Sequence, residues 1–206
     1  NMGAIGKLCH RVLVLEGRIA FSGPPQEAIS FYLGNTADQQ DSGSPIQIHS
    51  EHFATDAAAR VSKLEILDEV GRPLEFIRTG DLVRFRIHFE LDEPMPNLGI
   101  RLLLLAEDRT ELFRVSTEPI SGFRIPSQPL GPGAIDLLLP EFPLTAGVYQ
   151  VDVGTTHVNH NFLHTVENAA RLEVLGGDFY GSGALLTNRV CYFVCPHHWE
   201  MVTKDE

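Results

Sequence analysis

From about residue 57 onward, apolar and polar positions alternate along the chain with a period of two. The segment 81–91, DLVRFRIHFEL, shows this most clearly: Val, Phe, Ile and Phe occupy alternate positions from 83 to 89, and charged residues or histidine stand between them. Successive side chains of a strand point to opposite faces. The segment therefore predicts a strand with one buried face and one polar face.

Other predicted strands lie at regular intervals along the same region. A first strand is predicted over 61–67 and ends at a turn over 68–72. Further strands are predicted over 98–106, 111–116, 133–139, 147–155, 169–175 and 188–194. Short, regularly spaced strands without helical periods between them are typical of a sandwich. We predict an all-β fold, an antiparallel immunoglobulin-like or jelly-roll β-sandwich, over residues 57–206.

The first 34 residues have a different pattern. A short amphipathic helix is predicted over 2–12 and two short strands over 11–17 and 18–23, and a helix over 25–33 begins at a proline and ends before a glycine. Residues 35–56 are polar and without a sustained period, which is typical of a linker. The predicted organisation is a short α/β segment over 1–34, a linker over 35–56 and the sandwich.

Charge and composition narrow the possible partners. The net charge of −11 argues against binding to nucleic acid, because an acidic surface repels phosphate backbones. No run approaches the roughly 20 apolar residues that would span a bilayer, and no signal peptide is recognisable. The odd cysteine count (Cys9, Cys191 and Cys195) favours a reducing compartment. We expect a cytoplasmic protein, and the start at Asn1 indicates a fragment of a longer one.

The segment 8–33, LCHRVLVLEGRIAFSGPPQEAISFYL, resembles the end of an ABC-transporter nucleotide-binding domain. In that family a helix, a strand pair with a GRI…G turn and a P-E-E-(A/V)-I helix follow the switch histidine. The opening NMGAI is similar to the residues just after that histidine. The resemblance implies that the segments that bind ATP and Mg²⁺ belong to the parent protein, upstream of residue 1.

Residues 57–202 resemble the C-terminal domain of the ATP-binding subunits that export O-antigen polysaccharide. The similarity rests on the segments 61–91, 98–117, 132–154 and 171–190, which include the TGD turn and the strand LTAGVYQVDVG. It implies a carbohydrate-binding sandwich that recognises the modified end of a lipid-linked polysaccharide. It also implies a homodimer, in known cases formed by exchange of the last strand, and a transmembrane permease subunit at the inner face of the bacterial inner membrane. The loop 157–164 and the tail 195–206 depart from the family pattern.

The polar face of the long strand is the first candidate site, with Arg84, Arg86 and His88. Gln150 and Asp152 alternate with apolar residues in the strand 147–155, and they would join this site if the two strands lie in one sheet. Sugar hydroxyls need mixed donors and acceptors, and acidic groups favour arginine. The alternative is a solvated face with cross-strand ion pairs, each worth less than about 1 kcal/mol.

The loop TTHVNHNFLHT, 155–165, contributes His157, Asn159 and His160 as candidates. It could contact a ligand, gather imidazoles around a metal, or be an ordinary polar loop. No nearby carboxylate or cysteine completes a metal site, so we predict no metal there.

The tail supplies aromatic and thiol groups. Tyr180 and Trp199 could stack on sugar rings, or they could pack in the core or in a dimer. Cys191 and Cys195 lie close to His197 and His198, but a tetrahedral zinc site is awkward over so short a span. We expect these cysteines to pack as small hydrophobic residues.

No motif for nucleophilic catalysis or phosphate binding occurs in the chain, neither G-x-S-x-G, G-x-x-x-x-G-K-[ST] nor G-x-G-x-x-G. We therefore predict a non-catalytic fragment without a cofactor of its own. Its predicted function is recognition of the exported polysaccharide. The alternative is a purely structural domain that dimerises the ATPase subunits, and a sandwich hydrolase is a more distant third.

Overall fold

The computed structural model of the chain describes residues 9–15, 19–25, 28, 44–117, 120–126, 130–157 and 161–201. These residues form eleven strands and one 3-10 turn, Ser50–Phe53. The strands are β1 (Val12–Leu15), β2 (Ile19–Gly23), β3 (Ile46–Ile48), β4 (Ala59–Leu67), β5 (Ile77–Arg78), β6 (Val83–Leu91), β7 (Leu98–Ala106), β8 (Glu111–Ser116), β9 (Gly131–Leu139), β10 (Gly147–His157) and β11 (Asn161–Leu175).

Two sheets pack face to face and enclose the core. The larger sheet has the order β3-β11-β10-β7-β8, with β5 added in parallel beside β11, and the smaller sheet has the order β4-β6-β9. Apolar side chains from both sheets fill the space between them, among them Phe85, Phe89, Leu104, Tyr149 and Val151. The predicted antiparallel β-sandwich is confirmed.

β6 follows its predicted alternation, since its odd-numbered residues are buried and its even-numbered residues are partly exposed. β7 differs, because all nine of its residues are buried. It lies between β10 and β8 in the larger sheet. Its residues 99, 101, 103 and 105, which point away from the core, are therefore covered by groups on the outer face of that sheet.

The strand predicted over 188–194 is absent, and that prediction is wrong. Val190 and Cys191 both donate a backbone hydrogen bond to the carbonyl oxygen of Thr187, so a turn interrupts the segment. Isolated bridges join Phe193 to Leu144 and Thr187 to Ala146. The apolar residues here anchor an irregular tail to the segment before β10, so they do not form a ladder.

The stretch predicted as a linker, 35–56, contains part of the sandwich. Residues 46–48 pair with 170–172 of β11, and Phe53 in the 3-10 turn is buried in the core. A three-residue strand is too short to show a period, which is why the pattern missed it. β11 begins at residue 161 and is therefore longer than the predicted 169–175. A bulge at Asn168 (φ 48°) divides its alternating pattern into two parts, so the sequence indicated only the second part.

The N-terminal predictions are tested only in part. β1 and β2 confirm the predicted strand pair. The helix predicted over 2–12 does not reach its expected end, since residues 9–11 are irregular and Val12 begins β1; residues 1–8 lie outside the described residues. Pro25 and Ala28 are helical, and Ala28 N donates to Pro24 O at 3.0 Å. The rest of the predicted helix 25–33 and residues 35–43 lie outside the described part. No helix in that part is long and apolar enough to cross a membrane.

Candidate functional site

The sandwich places the two groups of polar candidate residues in different sheets. Arg84, Arg86 and His88 lie on β6, in the three-stranded sheet, whereas Gln150 and Asp152 lie on β10, in the larger sheet. The two strands belong to opposite layers, so their polar faces point away from each other. The condition for one shared face, that both strands lie in one sheet, is therefore not met.

Ion pairs cover the outer face of the smaller sheet. Arg86 donates from Nε and Nη2 to the two carboxylate oxygens of Asp136 at 2.8 and 2.9 Å, and Arg84 Nη1 donates to Oδ2 at 2.9 Å. The hydrogen bonds from Arg86, followed by those from Arg84, lower the pKa of Asp136 from 3.8 to about 2. His88 Nε2 lies 2.6 Å from Glu65 Oε2. These three candidates thus have their main charge partners within the sheet.

Asp152 ties together three parts of the outer face of the larger sheet. Arg109 donates to both of its oxygens at 2.9 and 2.7 Å, and Asn168 N donates to Oδ1 at 2.7 Å. Arg109 has φ 65° in the turn between β7 and β8, and it also donates to Gln150 Oε1 at 3.1 Å. Asp152 therefore joins this turn to the bulge of β11 and is a structural clamp.

Arg101 is a buried cation on the same face. It lies on β7, is only 9% exposed, and donates from Nη2 to Thr165 Oγ1 at 2.6 Å. Its Cζ lies 4.0 Å from the centre of the Phe162 ring. Burial, followed by the charge of Arg114, lowers the pKa of Arg101. Within the described part of the chain, Arg101 Nε and Thr156 Oγ1 are both buried without a hydrogen-bond partner.

A glycine lies beside this arginine on the neighbouring strand. Gly154 is the register partner of Arg101 on β10. A Cβ at residue 154 would lie 2.6 Å from the carbonyl oxygen of His164 and 3.2 Å from Arg101 Nε. Any larger residue would force the strands or the guanidinium to move. Glycine therefore allows β11 and the guanidinium of Arg101 to pack closely against β10.

We call Arg101, Gly154, Thr156, Phe162 and Thr165 the platform. Phe162 is 60% exposed although the arginine stacks on its ring, so the rest of the ring faces solvent. The sequence pattern did not indicate Arg101 or Phe162 as candidates. The sequence does contain one signal, a lone arginine inside the apolar run LGIRLLLLA, 98–106. A charge in a buried strand costs free energy unless it is paired, so such a residue is a candidate for a specific role.

The remaining candidates lie elsewhere or outside the described residues. His157 ends β10 opposite Asn161, while Asn159 and His160 fall outside the described part. His164 Nδ1 accepts a hydrogen bond from Val61 N at 3.1 Å, which links the two sheets. Burial lowers the pKa of His164. No group of three or more histidine, cysteine, aspartate or glutamate residues in the described ranges is arranged to hold a metal ion.

Tyr180 and Trp199 belong to a ladder of rings in the tail. The ring of His197 lies 4.9 Å from that of Tyr180 and 5.7 Å from that of Trp199, both edge to face. The Tyr180 hydroxyl donates to Cys195 O at 3.2 Å and accepts from Cys195 N at 3.1 Å. Trp199 is 86% exposed. The tail is anchored to the segment before β10, whereas the platform lies towards the end of β10.

Comparison with known proteins places this fold. The family model described as the Wzt C-terminal domain matches residues 51–185. A solved structure described as the C-terminal domain of wzt superposes with a TM-score of 0.54 at 13% identity, covering 74% of this chain and 93% of that one. The CARDB domain of the PF1109 protein from Pyrococcus furiosus, in complex with di-metal ions, gives a TM-score of 0.34 at 12% identity, covering 59% and 98%. No curated protein sequence matches the chain.

Proposed function

The chain belongs to the Wzt C-terminal domain family, and on that basis we propose that its sandwich binds the polysaccharide carried by an O-antigen ABC exporter. The family connects the chain to the ATP-binding subunit of a polysaccharide transporter. ATP and Mg²⁺ would act in the ATP-binding domain of that subunit, and the transmembrane permease would be its partner. The sandwich itself would supply recognition.

The platform carries this proposal. Sugar rings present C–H-rich faces that pack on aromatic planes, and they present hydroxyls that need both donors and acceptors. Phe162 offers an exposed ring whose orientation is fixed by Arg101 at 4.0 Å. Thr156 is the register partner of Phe162, and Thr165, whose hydroxyl accepts from Arg101, lies on the same strand as that ring. A flat ring with polar groups at its edge suits a pyranose.

Binding on this face would serve export by tethering. A site joined to the transporter converts the encounter of glycan and channel into an intramolecular event, and the local concentration rises without new contacts at the pore. In this mechanism the domain selects which glycan is held near the permease, and it needs no chemistry of its own.

Two phenylalanines permit a matched experiment. Phe76 is also partly exposed and also carries an arginine, Arg78, whose Cζ lies 4.9 Å from its ring centre, but it lies outside the platform. We expect Phe162→Ala to weaken binding to a matching oligosaccharide by roughly tenfold, in line with about 1.4 kcal/mol for a lost stacking contact. Phe76→Ala should leave the affinity unchanged. A glycan array to find the ligand, followed by calorimetric titration, measures both.

Two results would contradict the proposal. One is unchanged affinity in Phe162→Ala, and the other is an equal loss in Phe76→Ala. Thermal melting of both variants shows whether either has simply unfolded.

A structural dimerisation role is the second candidate, and the tail favours it. Val190 is 74% exposed, and Leu185, Trp199 and Met201 are also largely exposed. Apolar side chains left in water are typical of protein interfaces. If no glycan binds and transport is lost only when dimers are broken, this second function replaces the first. Tyr180 and Trp199 would then act in the interface.

A further inference from the structure

The start of β11 carries an irregularity that turns Phe162 to the outer face. The ladder between β10 and β11 shifts register there, so that Leu163 is an extra residue. Phe162 and Thr165 both reach Arg101 on the outer face, although they are three residues apart. His164 points the other way, towards β4 in the opposite sheet. The residues that present the platform on one face thus flank a histidine on the other face.

β4 also contains a bulge where it meets this histidine. Its ladder with β6 shifts register at Ser62. The preceding residue, Val61, is fully buried, and its N–H donates to His164 Nδ1 at 3.1 Å. Thr155, the register partner of His164, donates from Oγ1 to the carbonyl oxygen of Ala59 at 2.7 Å. These two side chains of the larger sheet hold the main chain of β4, and only the histidine can gain a proton.

The bond from Val61 fixes the protonation state of His164. A backbone N–H can only donate, so Nδ1 must offer a lone pair and the ring must be neutral. An imidazolium carries N–H groups on both ring nitrogens, and its Nδ1–H would face the N–H of Val61. Protonation therefore removes this bond and leaves a buried donor without its acceptor, which costs stability.

The surroundings of His164 oppose its protonation. Burial, followed by the charge of Arg60, lowers the pKa of His164 below its ordinary 6.5. Arg60 is itself held by Glu90 at 2.6 Å and by Asp92 at 2.7 Å. Because the folded pKa lies below the unfolded one, the bond is intact above pH 6.5 and is lost as the pH falls through the folded value.

Most other titratable groups on the neighbouring elements have charge partners of their own. The pairs are Lys63 with Glu65, Asp152 and Glu167 with Arg109, and Glu51 with His49 and His52. On the 3-10 turn, His52 Nδ1 also lies 3.1 Å from the carbonyl oxygens of residues 167 and 168. His157 ends β10 opposite Asn161, close to the platform. It is therefore the histidine against which His164 must be compared.

We infer that neutral His164 latches the start of β11 onto β4 and so positions the platform, and that its protonation releases both. The inference rests on the proposed function, to which it adds regulation, since glycan binding should weaken in mildly acidic solution. His164 would act through Phe162 and Thr165, its neighbours on the outer face, and is therefore a positioning residue.

Hydrogen exchange at the Val61 amide tests the latch without any glycan. Its protection factor, corrected for the intrinsic exchange rate at each pH, should fall below pH 6.5. The fall should reach at most about tenfold per pH unit, because opening takes up one proton. The Thr79 amide is the control, since it donates to the carbonyl oxygen of Leu175 at the other end of β11. Constant protection of the Val61 amide at all pH values overturns the inference.

Three variants assign the pH dependence to one histidine. His164→Asn places an acceptor oxygen at the position of Nδ1 without a titrating ring, so protection of Val61 should remain and become independent of pH. His157→Gln should leave the pH dependence as it is. Arg60→Gln, a second variant in case the first does not fold, should move the fall to higher pH because a repelling charge is gone. The opposite result in any of the three overturns the inference.

The side chain of Arg101 reports whether the latch positions the platform. Its Cζ lies 4.0 Å from the centre of the Phe162 ring, so the ring current displaces the NMR signal of the Nε–H proton. On acidification this signal should move towards its ordinary position in the unchanged protein, but not in His164→Asn. A signal that stays in place while Val61 loses protection overturns the positioning role.

Calorimetric titration at the same pH values separates this inference from the proposed function. The affinity for a matching oligosaccharide should fall together with the protection of Val61, and His164→Asn should keep its affinity. Constant affinity in the unchanged protein overturns the inference and leaves the proposed function standing. If no oligosaccharide binds at any pH, the proposed function fails, whereas the Val61 and Arg101 signals still decide whether His164 is a latch.

Discussion

Replacing Asp152 by asparagine should destabilise the sandwich by about 3 kcal/mol. The carboxylate accepts three hydrogen bonds of 2.7 to 2.9 Å, and the amide nitrogen of asparagine would face an arginine donor instead of accepting from it. Breaking a buried pair costs about 3–5 kcal/mol. The lower end applies because the Arg109 side chain is 34% exposed and can regain water.

The assay is urea unfolding, supported by thermal melting. A loss of about 3 kcal/mol corresponds to a fall of roughly 6–12 °C in Tm for a chain of this size. Combining Asp152→Asn with Arg109→Gln should cost clearly less than the sum of the two single changes, because both remove the same contact. Arg114→Gln is the control, since its pair with Glu111 is half exposed and should be worth less than about 1 kcal/mol. The role of Asp152 as a structural clamp would be refuted if Asp152→Asn lost less than about 1 kcal/mol of unfolding free energy. It would also be refuted if the losses in Asp152→Asn and Arg109→Gln simply added in the double variant.

Three further predictions concern other parts of the sandwich. The folded pKa of Asp136 is about 2, below its ordinary 3.8, so the stability that it contributes is complete above pH 3.8 and is lost as the pH falls through 2. Over that range the free energy of unfolding, measured with urea, should fall by about 1 kcal/mol less in Asp136→Asn than in the unchanged protein. Gly177→Ala should cost about 2 kcal/mol or more in unfolding experiments, because the new Cβ would lie 2.1 Å from the Thr79 carbonyl oxygen, whereas Gly176→Ala meets only ordinary contacts from 3.4 Å and should be tolerated. If the exposed tail forms a dimer, Val190→Asp should shift the sedimentation coefficient from dimer to monomer, and an unchanged coefficient would count against the dimerisation role.

The sequence predicted the fold where the pattern was long. β6 appears within two residues of its predicted bounds, because several consecutive positions report the same in-and-out period. β7 and β8 appear with the predicted bounds, because a turn at Asp108 separates two apolar segments. The short strands β3 and β5 span three and two residues and carry no period. The tail 188–194 is apolar enough for a strand, but its turn at Thr187 is a local hydrogen-bonding event that composition does not reveal.

The candidate site was predicted less well, for a different reason. Alternation indicates which side chains point outward, but it does not indicate in which sheet a strand lies. Whether Arg86 and Asp152 share a face therefore depends on strand pairing that the sequence does not show: β6 pairs with β4 and β9, and β10 pairs with β7 and β11. Arg101 and Phe162 meet across strands that are far apart in sequence. Such a meeting depends on the register of β10 against both of its neighbours.

Strand β3 determines where a shortened version of the domain can begin. Residues 46–48 pair with 170–172 and so protect one side of β11. A protein trimmed to start at residue 57, where the alternating pattern begins, would leave the main-chain groups of residues 169–173 on that side without these partners. Such a free edge invites other molecules to add to it. A protein that starts at residue 44 keeps β3 and therefore keeps this part of the edge covered. The thirteen residues before the alternating pattern should thus make the domain less prone to aggregate.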